Sequence, residues 1–200
     1  MKKFELTSEF VTFSGKKLFR IKALVSFGDV AEGELGGFIE RENNLDQCGN
    51  AWVYGNAWVY GNAWVCGDAQ VFGDAQVFGD AQVCGNARVY GNAWVCGDAQ
   101  VFGDAQVCGN AQVFGDARVC GDAHIQCRRD CSAASCFGSE NRTTTFFREK
   151  DGGIGVRCGC FYGTMSEFRE KVKERHGDSR LAKEYLMLAD LMEFRLSKDE

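Results

Sequence analysis

The chain has 200 residues, of which 45% are hydrophobic and 26% charged, so it contains enough apolar material for one large domain or two small ones. Its formal net charge is −5. The excess of negative charge lies in the repeat region described below, which contains seven Asp residues but only two basic residues, Arg88 and Arg118. Such a surface repels phosphate groups, so we expect no nucleic-acid partner. There is no apolar run of membrane-spanning length and no export signal after Met1, so the sequence predicts a cytoplasmic protein without a membrane partner, in which the eleven cysteines are thiols.

The first 48 residues predict a cap followed by the start of a coiled β structure. Alternating apolar positions predict two strands, residues 3–13 and 17–27, joined at Ser14 and Gly15. Residues 28–48 are irregular and rich in glycine, and we interpret them as a first, imperfect coil. Because the open end of a coil exposes unpaired strand edges, the hairpin formed by residues 1–27 is predicted to cover that end.

Residues 49–126 repeat the hexapeptide G-[D/N]-A-x-V-x thirteen times without an insertion or a deletion. A fixed short period predicts one structural unit stacked on itself. Ala and Val lie two positions apart, so they point to the same side of an extended strand, and Gly followed by Asp or Asn suits a corner. Because Ala and Val are small, the interior must be narrow, and three hexapeptides make a triangular coil of eighteen residues. The sequence therefore predicts a parallel β-solenoid over residues 28–126.

The array resembles the hexapeptide-repeat family of left-handed β-helices, as the spacing of Val71, Gly73, Asp74 and Ala75 illustrates. The segments GKKLFRIKALVSFGDVAEGELGGFIERENNL and GNAWVYGNAWVYGNAWV are similar to those of YdcK-like hexapeptide proteins of bacteria and phages. The segment TTTFFREKDGGIGVRCGCFYGTMSEFREKVKERHGD resembles a C-terminal module of the phage-associated members. The resemblance implies a mainly β protein with a left-handed parallel β-helix and a phage or prophage origin. Many hexapeptide-repeat proteins are trimeric acyltransferases that use acyl-CoA and a histidine base.

The residues after the array predict a connection and a small mixed module. Residues 127–142 are polar or small and are interpreted as the connection. Residues 143–148 and 154–160 predict a hairpin. Thr164 and Glu167 have the spacing of a capping box that opens a helix ending near Gly177, and a second helix is predicted from about Ser179. Residues 143–200 are therefore expected to form a ββαα module on, or beside, the C-terminal end of the solenoid.

Residues eighteen apart should stack on successive coils about 4.8 Å apart, so the positions after the repeat valines form three columns. If their side chains point outward, these columns are apolar stripes of a size that soluble monomers rarely leave uncovered. In the alternative interpretation, the side chains turn into the corners of the prism. We predict a homo-oligomer, with a trimer favoured over a dimer. Its predicted interface residues lie in two columns: Tyr54, Phe72 and Tyr90 in one, Tyr60, Phe78 and Phe114 in the other.

The third column contains thiols, and further cysteines follow the array. The column comprises Cys48, Cys66, Cys84, Phe102 and Cys120. Adjacent thiols there come within disulfide range, but a reducing compartment disfavours the bond, and we interpret them as small apolar side chains.

Two groups of residues are candidate metal ligands. The candidates for zinc are Cys127, Cys131, Cys136, Cys158, Cys160 and His176. Alternate strand positions such as Cys158 and Cys160 make a poor chelate, however. The stacked Asp80, Asp98 and Asp116 offer oxygen ligands to a divalent cation, but corner geometry already accounts for acidic residues there. We expect neither a metal nor a cofactor.

Two classes of function remain open. An acyltransferase needs a general base, and His124 on the last coil is the candidate, but the array has no loop insertion to form an acceptor pocket. Flat faces and acidic corners favour instead a non-enzymatic scaffold or binding protein, whose partners are further copies of itself and another protein. The phage-like tail adds the hypothesis of a host-directed inhibitor in the host cytoplasm.

Overall fold

The chain begins with an antiparallel hairpin that is continuous with the solenoid, in a computed structural model that describes residues 2–197. The hairpin consists of β1 (Phe4–Phe13) and β2 (Lys16–Ala23), and Ser14 and Gly15 form its turn, with positive φ angles of 48° and 78°. The next strand, β3 (Leu35–Ile39), pairs antiparallel with β2 and parallel with a solenoid strand, Trp58–Val59. The predicted second strand extends to residue 27, whereas β2 ends at Ala23.

Thirteen strands of two residues each form the solenoid, one for each hexapeptide. They are β4 (Trp52–Val53), β5 (Trp58–Val59), β6 (Trp64–Val65), β7 (Gln70–Val71), β8 (Gln76–Val77), β9 (Gln82–Val83), β10 (Arg88–Val89), β11 (Trp94–Val95), β12 (Gln100–Val101), β13 (Gln106–Val107), β14 (Gln112–Val113), β15 (Arg118–Val119) and β16 (His124–Ile125).

Every third strand pairs in parallel, which confirms the predicted β-solenoid with three strands per coil, and there are about five coils. Face 1 contains β5, β8, β11 and β14, and β1–β3 extend it to a seven-stranded sheet. Face 2 contains β4, β7, β10, β13 and β16, and face 3 contains β6, β9, β12 and β15. The left-handed sense of the coil stays a prediction.

The interior of the solenoid consists of the repeat Ala and Val side chains. Each of them is at most 2% exposed, and Ile125 takes the place of valine in the last repeat. A valine such as Val89 is aligned with Val71 on one neighbouring coil and Val107 on the other. Burying a side chain of this size contributes about 1.5–3 kcal/mol, so the repeated valines supply the main driving force for coiling.

The corners require glycine for two reasons. Gly73, for example, has a φ of +73°, which side chains with a Cβ rarely adopt, and a Cβ there would lie 3.0 Å from the backbone nitrogen of Gly91 on the next coil. The residue after each glycine is Asp or Asn, and amide and carboxylate side chains are stacked together. Asn62 Nδ2, for example, donates to Asp80 Oδ1 at 2.8 Å. This pairing reduces the repulsion that a column made only of Asp would have.

Polar side chains cover the carbonyl groups at the N-terminal end of the solenoid. Lys3 is buried, and its Nζ donates to the backbone oxygen of Ala51 at 3.0 Å and approaches those of Cys48 and Gly49 at 3.3 Å. Burial lowers the pKa of Lys3 to about 8. On face 3, Asn44 Nδ2 donates to the backbone oxygen of Ala63 at 2.8 Å. These donors satisfy acceptors that the absence of a preceding coil would leave unpaired.

The C-terminal module has more strands than the sequence predicted. It contains β17 (Cys131–Phe137), β18 (Arg142–Arg148), β19 (Ile154–Cys158), β20 (Phe161–Thr164), α1 (Met165–His176) and α2 (Arg180–Leu196). The first four form an antiparallel sheet in the order β17-β18-β19-β20. The connection interpreted over residues 127–142 thus contains a strand, β17, despite its small and polar residues. Its backbone is held by pairing with β18.

The first helix begins and ends as predicted, and the second begins as predicted. Thr164 Oγ1 accepts the N–H of Glu167, and the Glu167 carboxylate accepts the N–H of Thr164, which confirms the capping box. Gly177 ends α1 with a positive φ of 54°, and the Ser179 side chain caps α2. Neither helix in residues 2–197 has the length and apolar character of a transmembrane span.

The third column of the solenoid differs from the prediction in one respect. Cys66 and Cys84 form a disulfide, with Cα atoms 4.7 Å apart, where we expected two thiols. Stacking eighteen residues apart brings the two side chains together on neighbouring coils. Further along, the C-terminal module covers Cys120, which is 3% exposed.

The buried Cys120 thiol predicts a loss of stability at alkaline pH. Burial raises the pKa of Cys120 to about 11, so the folded protein keeps a proton that the unfolded chain loses near pH 9. A raised pKa of this kind stabilises the fold below pH 9, and this stabilisation is lost as the pH rises from about 9 to 11. We expect the free energy of unfolding, measured in urea titrations, to fall between pH 8 and pH 10.5. The fall should be about 1–2 kcal/mol smaller in Cys120→Ala than in the parent. The control is Cys127→Ala, which removes an exposed thiol; an unchanged pH dependence in Cys120→Ala would contradict the assignment.

Candidate interaction surface

Six aromatic side chains lie along face 1, and we call them the aromatic stripe. Its members are Phe13, Trp58, Tyr60, Phe78, Trp94 and Phe114. The two tryptophans occupy the outward position between the repeat Ala and Val, and Tyr60, Phe78 and Phe114 occupy the position after Val. Phe13 comes from the end of β1, which the shared sheet places beside the first coil.

The rings of the aromatic stripe from Phe13 to Trp94 contact one another in sequence. Phe13 lies 5.1 Å from Trp58 and 5.8 Å from Tyr60, measured between ring centroids. Tyr60 and Phe78 are stacked at 5.0 Å with an interplanar angle of 3°, and Trp94 meets Phe78 edge-on at 6.3 Å. Each pair contributes about 0.5–1.5 kcal/mol beyond its buried area. The rings are therefore held in fixed positions before any partner binds.

Much of the aromatic stripe is open to solvent. Phe114 is 62% exposed, Trp94 41% and Phe13 38%. Exposed corner residues follow the stripe along one side, including Asp80 and Asp116. The surface is thus an apolar strip with an acidic border, and its aromatic rings suit the buried centre of a protein interface.

The predicted interface column with Tyr54, Phe72 and Tyr90 is less open. All three side chains are half-buried, and Phe72 and Tyr90 stack at 4.7 Å. The Tyr90 hydroxyl donates to Gln106 Oε1 at 3.2 Å, which ties the ring to the neighbouring strand. This column therefore lies between the two interpretations made from the sequence, partly outward and partly turned into the corner. Its role in an interface stays a prediction.

The structure adds three residues that the sequence analysis missed. Phe13, Trp58 and Trp94 join the predicted Tyr60, Phe78 and Phe114. The signal for the tryptophans was present, because residues 58 and 94 lie thirty-six positions apart and so belong to one column two coils apart. The position between Ala and Val was not considered as a column. Nothing in the sequence placed Phe13 beside them.

His124, the candidate base, lies on the outward side of β16 and is half-buried. Its Nε2 is 2.8 Å from Gln126 Nε2. Among the described residues, no carboxylate hydrogen-bonds to the imidazole ring in the way that orients a catalytic histidine.

The structure does not bring the candidate metal ligands together. Within residues 2–197, no group of three or more His, Cys, Asp or Glu side chains is arranged to hold a metal ion, which includes the column of Asp80, Asp98 and Asp116. Three of the candidates, Cys158, Cys160 and His176, line a cavity of about 220 Å³ in the C-terminal module.

The other candidates lie apart from that cavity. Cys131 packs against the core of the solenoid, whereas Cys158 in the cavity lining accepts a hydrogen bond from Thr144 Oγ1 at 3.2 Å. Burial raises the pKa of the Cys131 thiol to about 12, which opposes the thiolate that a metal requires. Cys127 and Cys136 are exposed.

Three stretches of the solenoid match the YdcK beta-solenoid repeat family: residues 51–67, 81–97 and 105–121. The matched residues all lie within the hexapeptide array, so the solenoid is YdcK-like in its repeats, and the match does not extend to the hairpin or to the C-terminal module. No curated protein matches the chain.

Proposed function

We propose that this protein is a non-enzymatic scaffold that binds proteins through the aromatic stripe. The observation that carries the proposal is the stripe itself, in which ring contacts order the side chains from Phe13 to Trp94, and Phe13, Trp94 and Phe114 are exposed. Burying Trp94 in an interface removes apolar surface from water at little cost in side-chain entropy, because its ring already packs against Phe78. The acidic border formed by Asp80, Asp98 and Asp116 favours a partner with a basic rim.

We further propose that one partner is a second copy of the chain. Stripes on different copies have the same repeat distance between coils, so two of them are able to pack in register. The resemblance to hexapeptide-repeat proteins supports a trimer over a dimer. The proposed phage or prophage origin, a host-directed inhibitory role and action in the host cytoplasm are supported only by the resemblance of the C-terminal segment.

Light scattering at micromolar concentration tests self-association. The chain has a mass of 22.1 kDa, and we expect a mass two or three times larger for the parent protein. Trp94→Gln should shift the protein toward the monomer, because it removes an exposed ring at the centre of the stripe. Glutamine already occupies the same position in the adjacent coils, at residues 76 and 112, so the fold should be unaffected.

The matched control is Trp64→Gln. Trp64 is exposed to the same extent as Trp94, 41%, but it lies on face 3 away from the stripe. The control should keep the mass of the parent. A parent mass near 22.1 kDa would contradict self-association, and equal effects of the two substitutions would contradict the assignment to the stripe.

A further inference from the structure

The last strand of face 1 has an open edge. β14 is the terminal strand of its seven-stranded sheet. Among residues 2–197, no group accepts the backbone N–H of Gln112, which lies on the strand, or of Phe114, which directly follows it. In the preceding coil the equivalent donors, on Trp94 and Cys96, are bonded to the carbonyl groups of Ala111 and Val113.

The corresponding edges of the other two faces are covered by the C-terminal module. On face 3, Thr145 Oγ1 accepts the N–H of Arg118 at 2.9 Å. On face 2, the Asp130 carboxylate accepts the N–H of Gln126 at 2.9 Å, and the N–H of Lys150 is bonded to the carbonyl of Asp122 at 3.0 Å. Face 1 is thus the exception at this end of the solenoid.

The open edge has a simple origin in the course of the chain. Eighteen-residue coiling would place residues 130 and 131 above Gln112 and Val113. Instead, residues 127–130 form a turn closed by a hydrogen bond of 3.1 Å from the N–H of Asp130 to the carbonyl of Cys127, and the chain enters β17. The solenoid therefore ends at β16, without the strand that would continue face 1 above β14.

A cationic side chain lies at the entrance to the vacant strand position. Arg128 is exposed and, with Trp94, Asn110 and Gln112, lines a groove of about 810 Å³ on face 1. Among the described residues, no carboxylate forms an ion pair with Arg128. The edge thus offers backbone donors and acceptors, an aromatic surface at Phe114, and a positive charge at one end.

We propose that β14 binds an extended segment of another protein, which adds to face 1 as a further strand and places an acidic side chain near Arg128. Backbone hydrogen bonds to Gln112 and Phe114 supply the affinity, and Arg128 selects for the carboxylate. A second copy of the solenoid is the less suitable occupant. The C-terminal module lies against β15 and β16 at this end, so another coil stack would meet the module on two of its three faces. This site shares Phe114 and Trp94 with the aromatic stripe, but it binds through backbone groups at the end of the solenoid, so it does not require the self-association proposed for the stripe.

The probe for this site is a peptide that imitates the missing coil. Fluorescein-labelled GDAQVFGDAQVF has the sequence of residues 67–78 and would place an aspartate next to Arg128. Its binding to the full chain is measured by fluorescence anisotropy. Hydrogen exchange, followed by NMR, reports which amides become protected. We expect protection of Gln112 and Phe114, with no change at Arg118, whose N–H is already bonded to Thr145.

Two substitutions test the geometry. Gln112→Pro removes a donor that has no acceptor in the free protein, and it should weaken peptide binding at least about tenfold. Arg128→Glu should weaken binding of the acidic peptide by about tenfold and strengthen binding of the variant peptide GKAQVFGKAQVF. Because Arg128 is an exposed side chain in a turn, this second variant remains informative if Gln112→Pro fails to fold.

Three outcomes would overturn the proposal. The first is a full chain that does not bind the peptide, and the second is binding that leaves the Gln112 and Phe114 amides unprotected. The third is self-association of the parent that Gln112→Pro abolishes, because the occupant would then be a second copy. Loss of oligomers in Trp58→Gln, with peptide binding unchanged, would separate this site from the aromatic stripe, because Trp58 belongs to the stripe but does not line the groove.

Discussion

Val89→Asp is expected to unfold the solenoid. Val89 has no exposed surface and lies between Val71 and Val107 in the interior of face 2. A carboxylate at this position finds no hydrogen-bond donor, since the surrounding side chains are alanines and valines. Burial of an unpaired charge should cost more than about 4 kcal/mol. Circular dichroism during heating should show either no folded state or a large fall in melting temperature.

The adjacent residue supplies the control. Arg88 lies on the same strand, is exposed, and is aligned with the neutral Gln70 and Gln106 on the neighbouring coils. Arg88→Asp introduces the same carboxylate on the outside and should change the free energy of unfolding by no more than about 0.5 kcal/mol. A Val89→Asp protein that melts like the parent would show that valine does not point inward.

Asp130→Ala should loosen the junction between the solenoid and the C-terminal module. The buried carboxylate accepts the N–H groups of Gln126 and Cys127, both at 2.9 Å. It also pairs with Arg148 Nε at 3.1 Å, and both side chains of this pair are mostly buried. Removing it leaves two amide donors and a guanidinium group without an acceptor, which should cost about 3 kcal/mol.

Two measurements and a second variant test this effect. Urea unfolding should give the lost free energy, and hydrogen exchange should rise in β17 and β18. Asp130→Asn should fall between the parent and the alanine variant, because it keeps an acceptor but not the charge. The control is Asp98→Ala, which removes an exposed corner carboxylate. If Asp130→Ala were as stable as Asp98→Ala, the ion pair with Arg148 would have no role in holding the module.

The hexapeptide period was sufficient to predict the solenoid because each unit repeats the same residue types at the same positions. Gly in the corner, small Ala and Val inside, and a spacing of eighteen residues between coils all indicate one structure. The helix caps were equally local, since Thr164 and Glu167 need only be three positions apart. Where the signal was local and repeated, the sequence and the structure agree.

The remaining features depend on contacts between distant parts of the chain. The residues of β17, CSAASCF, have no strand pattern of their own, and β17 exists because β18 offers it an edge. Phe13 joins the aromatic stripe only because the hairpin continues face 1. Lys3 is a charged residue whose burial follows from three carbonyl groups at the end of the first coil. No spacing along the chain encodes these arrangements.

The hairpin covers one end of the solenoid and the C-terminal module packs on the other. The number of coils between them can therefore vary. Each coil contacts only its neighbours, so whole coils can be added or removed between the hairpin and the C-terminal module. Eighteen additional residues would move the C-terminal module about 4.8 Å farther from the hairpin without changing their relative orientation. Six additional residues would instead rotate the module by one third of a turn, because the coil has three faces. The number of hexapeptides in such a chain therefore sets both the distance and the angle between the hairpin and the C-terminal module.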